Sequence, residues 1–425
     1  MNLRTCLLDS FRAAVEAANP ACIVPRYLPD PAHVSGRVFV VGAGKASAAM
    51  ALAVEKNWPE NKALEGIAVT RYGHGLPMHR IRLVEAGHPV PDKNGMQAAQ
   101  TMLNQVGLLT EDDLLLCLFS GGGSSLLPLP AEHITLADLQ KLTQQLLRCG
   151  ANIQEINAVR KHLSCIQGGW LAAASRAPVR ALMISDVTGD DPTHIASGPC
   201  APDPTHFSDA LSVLERYQLD APPSIRHRLI AGDRQLVDET PKPGSAFFKH
   251  VENIVIASAH QSLTAATKYL QEQHFTTLIL GDAVTGEARE VAKVYAAFIK
   301  EIHRYPDLLK PPIALLSGGE TTVTVKGGGC GGRNTEFLLS LLIELDGLDG
   351  VYALACDTDG VDGSENNAGA LIIPDTLTRA RNKGIQAGQL LANNDAYCFF
   401  ERLGDLVITG PTYTNVNDYR VMLIV

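Results

Sequence analysis

The chain has 425 residues, enough for two or three domains that each bury a hydrophobic core. Its 36 lysines and arginines stand against 45 aspartates and glutamates, and the resulting acidic surface disfavours nucleic acid as a partner. No apolar run approaches the roughly 18 residues of a transmembrane helix, which disfavours a membrane protein. The nine scattered cysteines form no C-x-x-C pair, so we expect reduced thiols, no zinc site and a cytoplasmic location.

Short apolar runs alternate with longer helical patterns, and this alternation predicts an α/β fold with parallel strands. The first helix is predicted over residues 1–19, where charged residues interrupt the apolar ones, unlike in a signal peptide. Further helices are predicted at Ala43–Lys56, Asn94–Val106 and Leu136–Cys149. The strands predicted in the first half are Val38–Val41, Ile67–Thr70, Leu83–Ala86, Leu114–Phe119 and Ala181–Ser185.

The second half continues the pattern with strands closer together. Thr321–Val325 follows Ile313–Leu316 too closely for a crossover helix, which predicts a hairpin and a mixed sheet. The other strands predicted there are Ile254–Ala257, Thr277–Leu280, Tyr352–Cys356, Leu371–Ile373, Leu406–Thr409 and Val421–Val425. The proline-rich stretch Ala221–Ser245 predicts the domain boundary. We therefore expect a Rossmann-like, mostly parallel N-terminal domain at 1–235 and a C-terminal domain with a mixed sheet at 236–425.

Five predicted strands lead directly into turns that mix glycine with polar or ionisable residues. These turns are Gly42–Lys45, Ser120–Ser125, Asp186–Asp191, Ser317–Glu320 and Asp357–Gly360. In open α/β sheets, ligands bind outside the carboxyl ends of the strands, where free backbone amides favour anions. Because the turns come from both predicted domains, we expect them to line an active site in an interdomain cleft.

The first turn only superficially matches a dinucleotide fingerprint, because Ser47 replaces the third glycine. It is no Walker A loop either. Lys45 is predicted in the first turn of a helix, where a cation opposes the helix dipole unless an anion offsets it. The Ser120–Ser125 loop is the most phosphate-like segment, since Gly121, Gly122 and Gly123 let amides converge on an anion and Ser120 and Ser124 add hydroxyl donors.

Acidic residues cluster at two strand ends, one with Asp186, Asp190 and Asp191 and the other with Asp357, Asp359 and Asp362. Either cluster could simply cap a turn. Phosphoryl transfer, however, needs Mg²⁺ held by hard oxygen ligands and a carboxylate that orients the attacking hydroxyl. We therefore predict Asp357 and Asp359 as metal ligands.

A second glycine-rich loop, Gly327–Gly332, precedes a predicted helix that begins near Arg333. A guanidinium in this first turn again predicts an anionic partner, and its fork matches two oxygens of a carboxylate or phosphate. From their positions in these loops, Gly44, Glu320 and Asn334 are predicted to contact the substrate or nucleotide.

Taken together, these segments resemble the class II glycerate kinases, or glycerate 2-kinases, of the MOFRL family, some of which are labelled hydroxypyruvate reductase. The matching segments include Val40–Ser47, Gly87–Asp92, Ser120–Pro128, Asn157–Ser164, Ser185–Pro199, Ser317–Glu320, Gly331–Glu336, Asp357–Gly363 and Thr409–Asp418. The chain differs from the family pattern at Cys330, Thr335, Ser364–Asn366 and Tyr413, on loops that would shape the pocket.

The resemblance implies two α/β domains and transfer of the ATP γ-phosphate to the 2-hydroxyl of D-glycerate with Mg²⁺. By motif match it implies Lys45, Arg333 and Asp190 as catalytic residues. The expected partners are D-glycerate and ATP, in a monomer or homodimer. Two alternatives stay open. One is an NADPH-dependent hydroxypyruvate or tartronate semialdehyde reductase, supported by Gly42–Ser47 and by Arg71 as a 2′-phosphate ligand. The other is a non-enzymatic sugar-phosphate-binding regulator.

Overall fold

A computed structural model of the chain describes residues 2–305 and 309–425, so Met1 of the predicted first helix lies outside the described residues. The chain divides into two compact units: Pro20–Ile256, the first unit, and the residues up to Asn19 with Ala257–Val425, the second unit. This division differs from the predicted boundary at residue 235, because the strand that ends at Ala257 pairs within the first sheet.

The first unit contains a six-stranded sheet in the order β3-β2-β1-β4-β5-β6. The strand order reverses between β1 and β4, and β1 pairs in parallel with both β2 and β4. Such a switch point leaves a crevice at the carboxyl ends of the strands, where ligands bind in folds of this type. The strands are β1 (Val38–Ala43), β2 (Leu64–Arg71), β3 (Ile81–Ala86), β4 (Leu114–Phe119), β5 (Val179–Ile184) and β6 (Val251–Ala257).

The second unit contains a mixed sheet in the order β11-β10-β9-β12-β8-β7. The strand β7 is parallel to β8, whereas β12 is antiparallel to both β8 and β9, so the predicted mixed sheet is confirmed. The strands are β7 (Thr276–Gly281), β8 (Ile313–Ser317), β9 (Val351–Asp357), β10 (Gly369–Ile372), β11 (Leu406–Val407) and β12 (Asp418–Ile424).

The predicted hairpin between Ile313–Leu316 and Thr321–Val325 is wrong. The second segment makes only an isolated bridge, from Thr322 to Glu287. The fully buried strand β12 lies beside β8 instead. A strand buried on both faces contributes more apolar burial to the centre of a sheet than the polar, half-exposed segment could.

Helices connect these strands in both units. They are α1 (Leu3–Ala17), α2 (Pro20–Ile23), α3 (Ser47–Asn57), α4 (Lys93–Val106), α5 (Gly123–Leu126), α6 (Leu136–Arg148), α7 (Ile153–His162), α8 (Trp170–Ala173), α9 (Phe207–Arg216), α10 (Pro223–Asp233), α11 (Ala259–Glu272), α12 (Ala288–Arg304), α13 (Arg333–Leu345), α14 (Thr376–Asn382), α15 (Ala387–Ala392) and α16 (Ala396–Leu403). Within the described residues, none of them is long and apolar enough to cross a membrane.

The N-terminal helix packs in the second unit although it precedes the first in sequence. Leu7, Phe11 and Ala14 of α1 share a buried core with Leu263 of α11 and Leu316 of β8. These residues recur on one face of α1, as in an amphipathic helix. Burial of this face explains why a contiguous N-terminal domain is not observed.

Candidate active site

The loops that follow β1 and β4 meet at the switch point of the first sheet. The amide of Lys45 donates to the carbonyl oxygen of Gly121 at 2.9 Å, and the amide of Ala46 donates to Ser120 Oγ at 3.0 Å. A Cβ on Gly44, whose φ is +138°, would lie 2.6 Å from the carbonyl oxygen of Ser120. Only glycine permits this approach. The structure thus brings Gly44, Lys45 and Ser120 together.

The helix after β1 begins later than predicted, at Ser47, so Lys45 precedes the helix instead of lying in its first turn. The Ser47 hydroxyl donates to the carbonyl oxygens of Gly44 and Val69, at 2.8 and 2.6 Å. In dinucleotide-binding folds, the amides of this turn hold the pyrophosphate. Here the amides of Lys45 and Ala46 are already bonded to the neighbouring loop, so the turn is not arranged for a dinucleotide.

The loop after β4 offers unused backbone donors. Among the described residues, the amides of Gly121, Gly122 and Ser124 donate no hydrogen bond. Gly122 has a left-handed φ of +82°. A Cβ there would lie 2.9 Å from the His88 ring and 3.5 Å from Lys45 Cγ, so both basic side chains flank it. Free amides beside basic side chains are arranged to bind an oxyanion.

The opposite side of this loop is held by a short segment in an unusual conformation. Ala196 and Ser197 both have positive φ, at 52° and 59°. A Cβ on Gly123 would lie 2.6 Å from Ala196 Cβ. The Ser197 hydroxyl lies 2.8 Å from Ser124 Oγ and 3.0 Å from Asn157 Oδ1. Strained backbone of this kind persists where the surrounding packing imposes it, often at functional sites.

Asp190 lies in the loop after β5, which is the neighbour of β4 in the first sheet. It is half-buried and adopts a left-handed φ of +54°. The adjacent Asp191 accepts a hydrogen bond from the amide of Thr193 at 3.0 Å, which shapes the loop. Asp190 therefore lies on the same edge of the sheet as the Ser120–Ser125 loop.

The second group of predicted residues surrounds Arg333, the first residue of α13. Its Nε donates to Asp418 Oδ1 at 2.8 Å, and its Nη2 donates to Asp357 Oδ2 at 2.7 Å. Its Nη1 lies 3.3 Å from Glu320. Burial alone would lower the pKa of Arg333, but Asp418, Asp357 and Glu320 hold that pKa well above its ordinary value. The anion that this helix start requires is therefore supplied by the protein.

Asp362 and Asn334 complete the start of α13. Asp362 accepts hydrogen bonds from the amides of Asn334 and Thr335, both at 2.9 Å, and so caps the helix. Burial raises the pKa of Asp362 despite these bonds. The side-chain amide of Asn334, which is fully buried, donates to Asp418 Oδ1 at 2.8 Å. Asn334 thus contributes to the order of the acidic cluster.

The carboxylates of Asp357 and Asp359 are oxygen donors of the kind that Mg²⁺ prefers. Both are almost fully buried, and the amide of Asp359 donates to Asp357 Oδ1 at 2.9 Å. Across the described part of the chain, no three His, Cys, Asp or Glu side chains are grouped so that they could hold a metal ion. A magnesium ion here would take one or two carboxylates, with phosphate and water completing its coordination, which is its usual mode in phosphoryl-transfer sites.

The glycine-rich loop before α13 lines a cavity of about 250 Å³. Gly331, Gly332 and Arg333 form part of its wall, with Thr321 and Asn394 among the other lining residues. The segment Thr321–Val325, which was predicted as a hairpin strand, thus contributes to a cavity instead of to the sheet.

Sequence reasoning missed Asp418 as a site residue, although it lies in one of the segments that resemble the family. Its role follows from register, because Asp418 of β12 lies directly opposite Asp357 of β9. His88 and Asn157 also lie in segments that resemble the family, but they were not predicted as site residues. The local pattern held no signal for them, since their side chains contact site residues that are distant in sequence, His88 beside Gly122 and Asn157 at the Ser197 hydroxyl.

Comparison with known proteins places this geometry in a family. Residues 6–230 match the model described as a domain of unknown function, DUF4147, and residues 313–418 match the MOFRL family. The D-glycerate 2-kinase of Thermotoga maritima is 40% identical over 100% of this chain and 99% of that relative. An Agrobacterium vitis relative with the provisional name hydroxypyruvate reductase is 48% identical over 100% of this chain and 95% of its own length.

A solved structure agrees with the sequence relatives. The crystal structure of glycerate kinase from Thermotoga maritima superposes with a TM-score of 0.88 at 40% identity, covering 100% of this chain and 99% of that one. The fold is thereby shared over the whole chain. The chain, with its DUF4147 domain and its MOFRL region, therefore belongs to the glycerate 2-kinase family.

Proposed function

We propose that the protein is a D-glycerate 2-kinase, which transfers the γ-phosphoryl group of ATP to the 2-hydroxyl of D-glycerate. The observation that carries this proposal is the similarity, over the full chain, to a relative named D-glycerate 2-kinase. The loop with three unused amides beside Lys45 supports it, because a transferred phosphoryl group needs donors for its oxygens.

The residues of the first unit would act on the phosphoryl group and the hydroxyl. The amides of Gly121, Gly122 and Ser124 would donate to phosphate oxygens, and Lys45 would stabilise the charge that these oxygens gain during transfer. Asp190 would accept the proton of the attacking 2-hydroxyl, the role that a positioned carboxylate has in kinases.

The residues of the second unit would organise a metal-binding surface. Asp357 and Asp359 would hold Mg²⁺ directly or through water, and the ion would neutralise charge on the nucleotide phosphates. Arg333 would keep Asp357 and Asp418 oriented and retain N–H donors for a substrate oxyanion. Replacing Asp359 with Asn should raise the Mg²⁺ concentration needed for half-maximal rate while folding is intact. An unchanged titration would remove Asp359 from the metal site.

The reductase name of one relative gives a second candidate function. A reductase would bind a dinucleotide at the turn after β1, as the first sheet's strand order would allow. The amides of Lys45 and Ala46 are bonded to the neighbouring loop, however, which disfavours that binding mode.

A direct assay separates the two functions. Purified protein with D-glycerate, ATP and Mg²⁺ should release ADP and form 2-phosphoglycerate, which a coupled enzyme assay and phosphorus NMR identify. Oxidation of NADPH by hydroxypyruvate without ADP release would establish the reductase instead. Phosphorylation at the 3-position would keep the kinase and contradict the proposed position of transfer.

A further inference from the structure

Helix α7 ends with three consecutive basic residues, and two of them have acidic partners. Lys161 Nζ lies 3.3 Å from Asp203 and donates to Thr193 Oγ1 at 2.7 Å. His162 Nε2 lies 2.9 Å from Glu239. The third, Arg160, has neither a hydrogen bond nor an ion pair from its guanidinium to any residue of 2–305 or 309–425.

Arg160 is nevertheless partly covered by protein. Its side chain is half-buried and lines a cavity of about 40 Å³, together with Ser124, Ser125 and several leucines. Burial lowers the pKa of the Arg160 guanidinium to about 10, and no acidic group opposes this. The group is still charged at neutral pH. A partly desolvated cation without a partner costs free energy, and an incoming anion would offset that cost.

The cavity adjoins the loop that has unused amides. Asn157 lies on α7 three residues before Arg160, so the two share one face of the helix. Asn157 reaches Ser124 through the hydroxyl of Ser197. This connection fixes the face of α7 that carries Arg160 against the oxyanion-binding loop. Arg160 and the loop therefore form one anion-binding region in the first unit.

The volume of the cavity limits what can bind there. A single water needs roughly 10–15 Å³ of such volume, so about 40 Å³ holds a group of about three heavy atoms. A carboxylate has that size, and a triphosphate is far larger. The apolar lining would strengthen a charge-assisted pair by excluding water.

We propose that Arg160 binds the carboxylate of the hydroxy-acid substrate through its forked N–H donors. This assignment rests on the proposed function, because it takes the substrate to be a 2-hydroxy acid. It makes Arg160 the residue by which the enzyme distinguishes an acid from a neutral polyol. The alternative is that Arg160 only offsets the dipole at the end of α7, which would affect stability and leave affinity unchanged.

Calorimetric titration of D-glycerate into the whole protein, without nucleotide, tests the proposal independently of turnover. Arg160→Gln should weaken binding of D-glycerate about 10- to 100-fold, as loss of a charge-assisted pair does. Arg160→Lys keeps the charge without the forked donors, so its affinity for D-glycerate should lie between those of the wild type and Arg160→Gln. The KM for ATP should stay within twofold. Wild type should bind D-glyceramide, which lacks the negative charge, as weakly as Arg160→Gln binds D-glycerate.

Arg228→Gln is the matched control, since Arg228 is also half-buried and, within the described part of the chain, donates only to the carbonyl oxygen of His162, at 3.1 Å. It should bind D-glycerate as the wild type does. Binding within twofold of wild type in both Arg160 variants overturns the proposal, with or without a lower melting temperature. A raised KM for ATP with unchanged D-glycerate binding also overturns it, because the anion would then be a nucleotide phosphate. If Arg160→Gln does not fold, Arg160→Lys and the glyceramide comparison decide.

Wild-type protein that binds D-glycerate through Arg160 but releases no ADP would contradict the kinase function and leave this assignment intact. If the wild type phosphorylates D-glycerate while the Arg160 variants bind D-glycerate with wild-type affinity, the kinase function stands and the Arg160 assignment is contradicted. The two failures are thereby distinguishable.

Discussion

Two arginines, one in each unit, have opposite surroundings. Arg333 is bonded to Asp418 and Asp357 and lies near Glu320, and these carboxylates hold its pKa well above the ordinary value. Arg160 has no acidic partner among the described residues, and burial lowers its pKa to about 10. The same side chain therefore orders acidic groups in the second unit and remains available to an anion in the first.

The balance of charge differs in the same way. Around Arg333, the carboxylates outnumber the two cations, Arg333 and Arg420, which suits the binding of a metal ion more than that of an anion alone. Around the Gly121–Ser124 loop, Lys45 and His88 lie beside unused amides, which suits an oxyanion. Four substitutions test this difference between the two regions.

The largest effect is expected from Lys45→Ala. If Lys45 stabilises charge that develops on the phosphoryl oxygens, its loss should lower kcat about 100- to 1000-fold and raise KM much less. Steady-state kinetics with D-glycerate and ATP measure both values. Lys56→Ala removes an exposed lysine of α3 and should leave both unchanged. A change in KM alone would show that Lys45 only binds a ground-state anion.

Arg333→Lys should lower kcat/KM about 10- to 100-fold, because the positive charge remains while the fork that bonds Asp418 and Asp357 is lost. These carboxylates are buried, so the free energy of unfolding should also fall by about 1.5–3 kcal/mol. Urea denaturation measures this loss.

Arg381→Lys is the control, because its ion pair with Asp346 is exposed and should contribute little. Kinetics and stability like those of wild type in Arg333→Lys would make Arg333 an ordinary helix residue.

Gly122→Ala should lower kcat/KM about tenfold, because a Cβ would contact the His88 ring and shift the loop amides by a fraction of an ångström. The positive φ adds about 1 kcal/mol of backbone strain. Gly73→Ala carries the same strain at φ +76° with nothing within 4 Å of its Cβ, so it isolates the contribution of the contact. Equal activity in both variants would exclude a precise oxyanion loop.

The smallest effect concerns pH and the acidic partners of α7. Burial would raise the pKa of Glu239, but His162, the amide of Thr240 and Lys242 lower it to about 2. Because the pKa of Glu239 is lower in the folded state, ionised Glu239 stabilises the fold. This stabilisation is fully present above the pKa in the unfolded chain, about 4.3, and is lost as pH falls towards 2.

Melting temperatures measured from pH 5 to pH 2.5 test this linkage. As pH falls, the melting temperature of Glu239→Gln should decrease less steeply than that of the wild type. The melting temperature of Glu215→Gln, which alters an exposed residue, should follow that of the wild type. Identical slopes for Glu239→Gln and wild type would show that the His162 pair contributes no linked stability.

The sequence predicted much of this molecule at the level of elements. Short, continuous apolar runs marked β1, β4 and β9, which are buried along almost their whole length, and glycine after each strand marked the loops of the candidate site. The predicted boundary and hairpin had only local support. The boundary was predicted from proline content, and the hairpin from closeness in sequence. In the structure, β6 and β12 pair with strands more than fifty residues away along the chain.

The sequence by itself determined which segments are strands and helices, and which loops carry glycine and charge, because these depend on local periodicity and backbone freedom. Only the tertiary structure decided which charges meet. The register of β12 on β9 puts Asp418 opposite Asp357, and the packing of α7 leaves Arg160 without an acidic partner among residues 2–305 and 309–425. Periodicity encodes the face that an element buries, but the partners of a charge depend on strand order and on contacts between distant segments.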